Sequence, residues 1–244
     1  MARSGGPRSG GAPRRPARRP LKGQPQSPPK RSRTPSSSAP PVAPPPERGP
    51  FRLGAIPGAT PGKWIDVWSE RMPHNPLELV PLTVAGQAAA LATGEVDAAL
   101  VRVPVDADGI SLIPLYEERP VVVCAADSHL TAADELTLDD LAGEILLIPR
   151  DAVFDIAVPG AVSPAFAPPA DTAEAVETVA AGVGILIVPM SLARQHRRRD
   201  VTSRPLRDGP VSPVALAWPT EATTPLVEAF IGIVRGRTAN SSRG

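Results

Sequence analysis

The chain has 244 residues, and its 26 Lys and Arg against 25 Asp and Glu give a formal net charge of +1 at pH 7. This length accommodates one large domain or two small ones. No apolar run approaches the roughly 20 residues that a membrane-spanning helix needs, and the basic N-terminus lacks the apolar middle of a secretion signal. The single cysteine, Cys124, excludes an intrachain disulfide and fits a reducing compartment. We therefore expect a cytoplasmic protein with no membrane partner.

The near-neutral total conceals two segments of opposite charge. Residues 1–50 contain eleven Lys or Arg and one acid, a net +10, whereas residues 51–244 contain 15 basic and 24 acidic groups, a net −9. Residues 1–50 are also rich in Pro and poor in apolar side chains, so we expect them to be disordered. Four arginines of this segment are candidates for contacts with nucleic-acid phosphates: Arg14, Arg15, Arg18 and Arg19. The alternative is a solubilising segment with no partner.

Two strand–helix–strand units are predicted between residues 51 and 102. The predicted strands are 51–56, 77–82 and 95–102. Thr60 with Pro61 predicts the start of the first helix, and Thr83 predicts the start of the second, which ends at Gly94. Such units indicate a parallel sheet with helices on its faces, hence an α/β fold.

After residue 104 the pattern changes. Val121–Ala125 and Ile145–Ile148 are typical of buried strands, and Leu136–Leu141 predicts a short helical turn. Four prolines between residues 151 and 170 argue against a long helix there.

The most informative stretch runs from Asp171 to Pro189. Asp171 with Glu174 has the form of a helix-opening capping box. Apolar residues then recur with helical spacing, at Val176, Val179, Ala180 and Val183. Gly182 and Gly184 suit the end of a helix, and 185–188 is a β-branched run typical of a strand buried on both faces.

The C-terminal part adds a basic run at 194–199, a strand at 212–218 and a helix that begins at Thr224 and Pro225. We expect residues 237–244 to be frayed.

Four segments together resemble the LysR-type substrate-binding (effector-binding) domain over about residues 51–236. They are the opening strand–helix unit, Leu91–Arg102 with its Gly-Glu-Val-Asp-Ala-Ala core, Leu115–Glu118, and Ala180–Pro189 with its Ala-Gly-Val-Gly-Ile core. The resemblance implies a two-lobed α/β fold of the periplasmic-binding-protein type (type II). Lobe I would comprise about 51–102 and 205–236, and lobe II about 105–204. We expect no counterpart of the family's N-terminal helix-turn-helix here, because the Pro/Arg segment stands in its place.

The resemblance also implies a ligand between the lobes, held by turns at strand ends and by helix N-termini. The matching positions are Gly58, Ala59, Thr60, Thr83, Val84, Arg102, Val103, Asp171 and Thr172. On this hypothesis Thr60, Thr83 and Arg102 converge on one anion. Alternatively, the threonines only cap helices and Arg102 forms a surface ion pair.

Catalysis and metal binding find little support. The three histidines, His74, His129 and His196, lack metal-site spacing, and Cys124 lies in an apolar run. We therefore predict no enzyme, no cofactor and no metal. The favoured function is binding of a small organic acid or similar metabolite, linked to transcriptional regulation. The alternatives are non-specific DNA binding through the basic segment, and a homodimerisation module in which Arg194–Arg199 relieves repulsion between acidic domains.

Overall fold

Two β-sheets organise the part of the chain that the structure, a computed structural model, describes: residues 49–105 and 108–236. The predicted frayed end at 237–244 lies outside these ranges. So does the predicted disordered segment 1–50, apart from Gly49 and Pro50.

The first sheet has five strands in the order β2-β1-β3-β9-β4. Strands β1 to β3 run parallel because a helix follows each of the first two, whereas β9 is antiparallel to both β3 and β4. The strands are β1 (Phe51–Ala55), β2 (Leu77–Pro81), β3 (Ala98–Arg102), β4 (Ile110–Glu118) and β9 (Ser212–Pro219), and the helices are α1 (Gly62–Arg71), α2 (Gln87–Ala92) and α5 (Pro225–Val234).

An aromatic cluster fills one face of the first sheet. The Trp68 ring of α1 stacks on Phe51 with ring centroids 4.6 Å apart and meets Phe230 of α5 at 5.9 Å. All three side chains are fully buried, and the Trp68 indole N–H donates to the backbone oxygen of Asn75 at 2.7 Å. The apolar spacing on α1 and α5 therefore serves to cover this face.

The second sheet has four strands in the order β6-β7-β5-β8. Its elements are β5 (Pro120–Ala125), β6 (Leu146–Leu147), α3 (Thr172–Ala180), β7 (Ile185–Pro189), α4 (Met190–Gln195) and β8 (Val201–Pro205). Every residue of β7 is buried, because α3 covers one face and a second cluster of apolar side chains covers the other. The predicted α/β class, with two sheets, is thus confirmed.

The predicted lobe boundary near residue 105 differs from the structure. Strand β4 pairs along its length with β9, so it belongs to the first sheet, and the chain passes to the second sheet at Arg119. The predictions missed β4 and β8, both of which are only partly buried and carry mixed polar and apolar residues.

Two predicted helix starts are wrong. Helix α1 has Pro61 at its N-cap and no side-chain cap, so Thr60 does not cap it. Helix α2 begins at Gln87, because the Thr83 hydroxyl instead accepts from the Gly86 backbone N–H at 3.0 Å and closes a turn before the helix. Residues 151–170 contain no helix, as their prolines predicted.

The helix–turn–strand unit at 171–189 is as predicted. Asp171 accepts from the Glu174 backbone N–H at 2.9 Å, and the Glu174 carboxylate accepts from the Ala170 backbone N–H. Helix α3 buries Ala175, Val176 and Val179.

Gly184 should tolerate no side chain. Gly184 and Gly182 both have left-handed φ angles, +72° and +79°, but a Cβ on Gly184 would collide with the Ile145 carbonyl oxygen, whereas one on Gly182 meets nothing within 4 Å. That carbonyl accepts the Ile185 backbone N–H at 2.8 Å, so it is not free to move. We expect Gly182→Ala to lower the free energy of unfolding by about 1 kcal/mol. Gly184→Ala should cost at least about 2 kcal/mol more. Equal losses in urea unfolding would contradict this.

Candidate functional site

A cavity of about 430 Å³ lies between the ends of first-sheet strands and the second lobe. The first-sheet side consists of the turns that follow β1 and β2. The other side consists of the loop after β6, the residue before Asp171, and α4. Its lining residues are Pro57, Thr83, Val84, Ala85, Arg150, Asp151, Ala152, Val153, Ala170 and Leu192. We call this space the cleft.

Polar groups in the cleft come from both sides. Thr83 is held by the Gly86 N–H described above. Across the cleft, Asp151 accepts from the hydroxyl of the buried Thr172 at 3.0 Å, which fixes its carboxylate. The Arg150 side chain is exposed, and its guanidinium has no hydrogen-bond or ion-pair partner among the described residues. The cleft thus offers one unpaired cation in a largely apolar wall.

A second cavity, of about 760 Å³, lies elsewhere along the junction of the two sheets. Gly58, Ala59 and Thr60 line it, opposite residues of α4 and of the 116–119 crossover. The Gly58 backbone N–H donates to Gln195 Oε1 at 3.0 Å, and a Cβ at this residue would collide with the Ser191 hydroxyl. The turn after β1 therefore rests directly on α4.

Arg102 is buried within the first lobe. It is 4% exposed, and its guanidinium donates to Glu118 at 2.8 Å, to the Ser212 hydroxyl at 2.8 Å and to the Pro57 backbone oxygen at 3.2 Å. The same Glu118 oxygen accepts from the hydroxyl of Ser191 on α4 at 2.9 Å. Glu118 thus joins the first sheet to α4 of the second lobe.

The predicted convergence of Thr60, Thr83 and Arg102 on one anion is therefore not found. Thr83 lines the cleft, Thr60 lines the second cavity, and Arg102 lines neither. Nor is Arg102 a surface ion pair, because its guanidinium is buried.

The other predicted positions divide in the same way. Val84 lines the cleft, whereas Thr172 lies behind it and supports Asp151. Asp171 caps α3, and the Val103 backbone N–H donates to the Pro213 oxygen at 3.0 Å beside an apolar cluster. Sequence reasoning missed Arg150 and Asp151, which stand in the segment that carried no helix or strand pattern.

Burial also shifts the pKa of two groups that do not line the cleft. It raises the pKa of the Tyr116 phenol, and the Glu118 carboxylate adds to that rise while Arg102 opposes it. Burial likewise raises the pKa of the Cys124 thiol, which is fully buried in β5. A thiol held in this neutral form is a poor nucleophile.

Within 49–105 and 108–236, no group of three or more His, Cys, Asp or Glu is arranged to hold a metal ion. In the same ranges, no helix has the length and apolarity needed to cross a bilayer.

Comparisons with known sequences identify the family of this chain. The family model of the LysR substrate binding domain matches residues 45–239. The chain is 30% identical over 167 residues to the HTH-type transcriptional regulator CatR of Pseudomonas putida, covering 65% of this chain and 57% of CatR. It is 28% identical over 203 residues to the Hca operon transcriptional activator HcaR of Escherichia coli, covering 77% of this chain and 68% of HcaR. Both relatives are transcriptional regulators. The chain spans 57% of the length of CatR and 68% of the length of HcaR.

Solved structures share the fold. An effector-binding domain of a BenM variant matches with a TM-score of 0.65 at 22% identity, over 80% of this chain and 96% of that one. A cysteine mutant of Corynebacterium glutamicum OxyR matches with a TM-score of 0.64 at 25% identity, over 78% of this chain and 64% of that one. The BenM domain with its effector benzoate matches with a TM-score of 0.63 at 21% identity, over 78% and 95%. The two-lobed type II periplasmic-binding-protein architecture is thereby confirmed.

Proposed function

Because the chain belongs to the family of LysR substrate-binding domains, we propose that it is a non-enzymatic effector-binding domain that serves transcriptional regulation. Its ligand is a small organic acid or similar metabolite. The observation that carries the proposal is the cleft, where an unpaired arginine and a threonine hydroxyl from opposite sides face an otherwise mostly apolar space. At about 430 Å³ the cleft has the volume of a small-molecule site, within the range of about 300–1,000 Å³.

The lining of the cleft favours a carboxylate attached to an apolar body. Arg150 supplies a guanidinium that can hydrogen-bond both oxygens of a carboxylate. Val84, Val153 and Leu192 supply apolar contact for the rest of the molecule. Asp151 disfavours a second anionic group close to it. Benzoate, the effector in the BenM structure, has this chemistry and is a suitable first probe.

We expect Arg150→Gln to weaken binding of such a carboxylate about 10- to 100-fold, the range for loss of a charged hydrogen bond of about 1.5–3 kcal/mol. The unliganded chain should keep its melting temperature, since Arg150 is exposed and makes no ion pair among the described residues. A thermal-shift screen of aromatic and aliphatic carboxylates, begun with benzoate and followed by calorimetry, measures both quantities. The matched control is Arg207→Gln, another exposed arginine outside the cleft. No binding by any carboxylate, or equal affinity in the Arg150 variant, contradicts the proposal.

The net +10 charge of residues 1–50 favours a second candidate function, non-specific DNA binding. Arg14, Arg15, Arg18 and Arg19 would contact phosphates without reading bases. Affinity for duplex DNA should then fall steeply with salt and vary little among sequences. Deleting residues 1–50 should abolish it, and retained affinity would refute this role.

Two further predictions concern the state of the protein. A homodimer is expected from the oligomeric habit of the family, and sedimentation that finds only monomer at high concentration would exclude it. A cytoplasmic location follows from a role in transcriptional regulation.

A further inference from the structure

A concave surface of about 1040 Å³, which shares no lining residue with the cleft, lies on the second lobe between α4, the residues that follow it, and β8. We call it the arginine concavity. Five arginines line it, and its lining contains no acidic residue. The arginines are Arg194, Arg197, Arg198, Arg199 and Arg204.

The five arginines differ in what they bind. Arg198 pairs with Asp200 at 2.8 and 2.9 Å, and Arg204 donates to the backbone oxygens of two residues before β6, Ala133 and Thr131. Arg194, Arg197 and Arg199 are exposed, and none has a hydrogen-bond or ion-pair partner among the described residues. Three guanidiniums, with all their donors, are thus available in one concave surface.

The clustering of five arginines contrasts with the net negative charge of residues 51–244. Residues 51–244 carry a net charge of −9, so carboxylates to neutralise the cluster are abundant in the chain, yet none lines the concavity. Clustered like charges repel one another, and a concave surface of one sign concentrates the potential that attracts an opposite charge. The concavity therefore complements an anionic partner.

A second feature, part of the edge of the second sheet, lies in the same surface. β8 ends the order β6-β7-β5-β8 and pairs with β5. On its other side the Pro205 oxygen accepts from the Leu136 backbone N–H at 2.9 Å and the Ser203 oxygen accepts from the Arg204 guanidinium at 3.2 Å, so this edge is partly occupied towards its C-terminal end. At the two ends of the β5–β8 pair, the Ala126 backbone N–H donates to the Asp200 backbone oxygen and the Leu206 backbone N–H donates to the Pro120 backbone oxygen. Because bonding alternates along an antiparallel pair, the peptide N–H groups of Val201 and Ser203 point away from β5. Both residues line the concavity.

We propose that the arginine concavity binds an extended acidic segment of a partner protein, which adds to β8 as a further strand. The partner's main chain would accept the N–H groups of Val201 and Ser203. Side chains alternate along a strand, so an acid at every second position would place all its carboxylates towards Arg194, Arg197 and Arg199. No aromatic residue lines the concavity, which disfavours single-stranded nucleic acid, and its volume far exceeds that of one phosphate group.

The test uses the full chain and a synthetic peptide with Glu at alternate positions and Thr between them. The peptide has about ten residues, which is at the upper end of typical strand lengths. Binding is measured by fluorescence anisotropy. Replacing Arg194, Arg197 and Arg199 together with Gln should weaken binding at least about 10-fold, since each lost charge-assisted contact is worth about a factor of ten or more. The matched control replaces three exposed basic residues outside the concavity, Lys63, Arg207 and Arg235, with Gln. It removes the same charge, leaves residues 1–50 intact, and should change affinity by less than about 2-fold.

A second peptide separates strand addition from charge attraction alone. It has the same sequence with alternate peptide nitrogens methylated, which removes main-chain donors and blocks pairing without altering charge. On the wild-type chain it should bind at least about 10-fold more weakly, because main-chain hydrogen bonds supply much of the affinity in strand addition.

Equal losses of peptide affinity in the two triple variants would overturn the proposal, and so would equal affinity of the wild-type chain for the methylated and unmethylated peptides. It would also be overturned if pyrophosphate, or duplex DNA of equal charge, bound more tightly than the peptide and lost this binding in the concavity variant. Self-association of the chain through the concavity would overturn it as well. Sedimentation of the wild-type chain and the concavity variant detects the last of these. Thermal melting of both triple variants verifies that they remain folded.

Discussion

Replacing Glu118 with alanine is expected to lower the free energy of unfolding by about 3–5 kcal/mol, the range for a buried ion pair that loses one partner. The reason is that Arg102, only 4% exposed, would keep its charge with no carboxylate to balance it. The Ser191 hydroxyl would also lose its acceptor. Guanidinium chloride unfolding followed by circular dichroism measures the change.

Two further variants identify the origin of this loss. Ser191→Ala removes only the neutral donor to Glu118 and should cost about 1 kcal/mol. Replacing the pair together, as Arg102→Met with Glu118→Leu, should recover most of the stability, because apolar side chains often substitute well for a buried ion pair. A loss below about 1 kcal/mol in Glu118→Ala would mean that solvent reaches Arg102. Arg102 would then again be a candidate for contact with the ligand.

Val179→Asp is expected to be still more damaging, with a loss above about 4 kcal/mol that leaves the chain largely unfolded. Val179 is fully buried in the apolar cluster between α3 and the second sheet, where no cation stands to pair with a carboxylate. The charge would have to be neutralised or the helix displaced.

The matched control for this variant lies on the same helix. Ala173→Asp adds the same side chain in the first turn of α3, where it is only partly buried and where the helix dipole favours an acid. It should change stability by no more than about 0.5 kcal/mol. Comparable losses in the two variants would show that any acid on α3 is harmful, and the burial argument would fail.

Periodicity and capping predicted the elements that bury a continuous apolar face. The buried run of β7 is recognisable because burial on both faces restricts the residues allowed there. The capping box at Asp171 and Glu174 is recognisable because few residue types accept the free N–H groups at a helix start. Strands β4 and β8 escaped prediction, since one side of each faces solvent and their residues follow no strict alternation.

The site was less predictable for a different reason. Thr83 and Val84 were found because strand ends in α/β folds are expected to face ligands. Arg150 and Asp151 lie in a proline-rich segment whose path is determined by contacts with other parts of the chain, such as the Thr172 hydroxyl. The burial of Arg102 depends on Glu118 and Ser212, which are distant in sequence, so a single residue type at a strand end could not distinguish a ligand contact from a buried ion pair.

The position of β9 between β3 and β4 affects the order in which the two sheets can be completed. The second sheet is continuous in sequence, from Pro120 to Pro205, so all its strands can pair before the remaining residues are synthesised. The first sheet cannot, because β3 and β4 are joined through β9, which follows the whole second sheet in sequence. During synthesis the N-terminal half of that sheet therefore exposes an unpaired strand edge until β9 leaves the ribosome. Truncations after β8 should consequently yield a folded second sheet attached to an aggregation-prone first one.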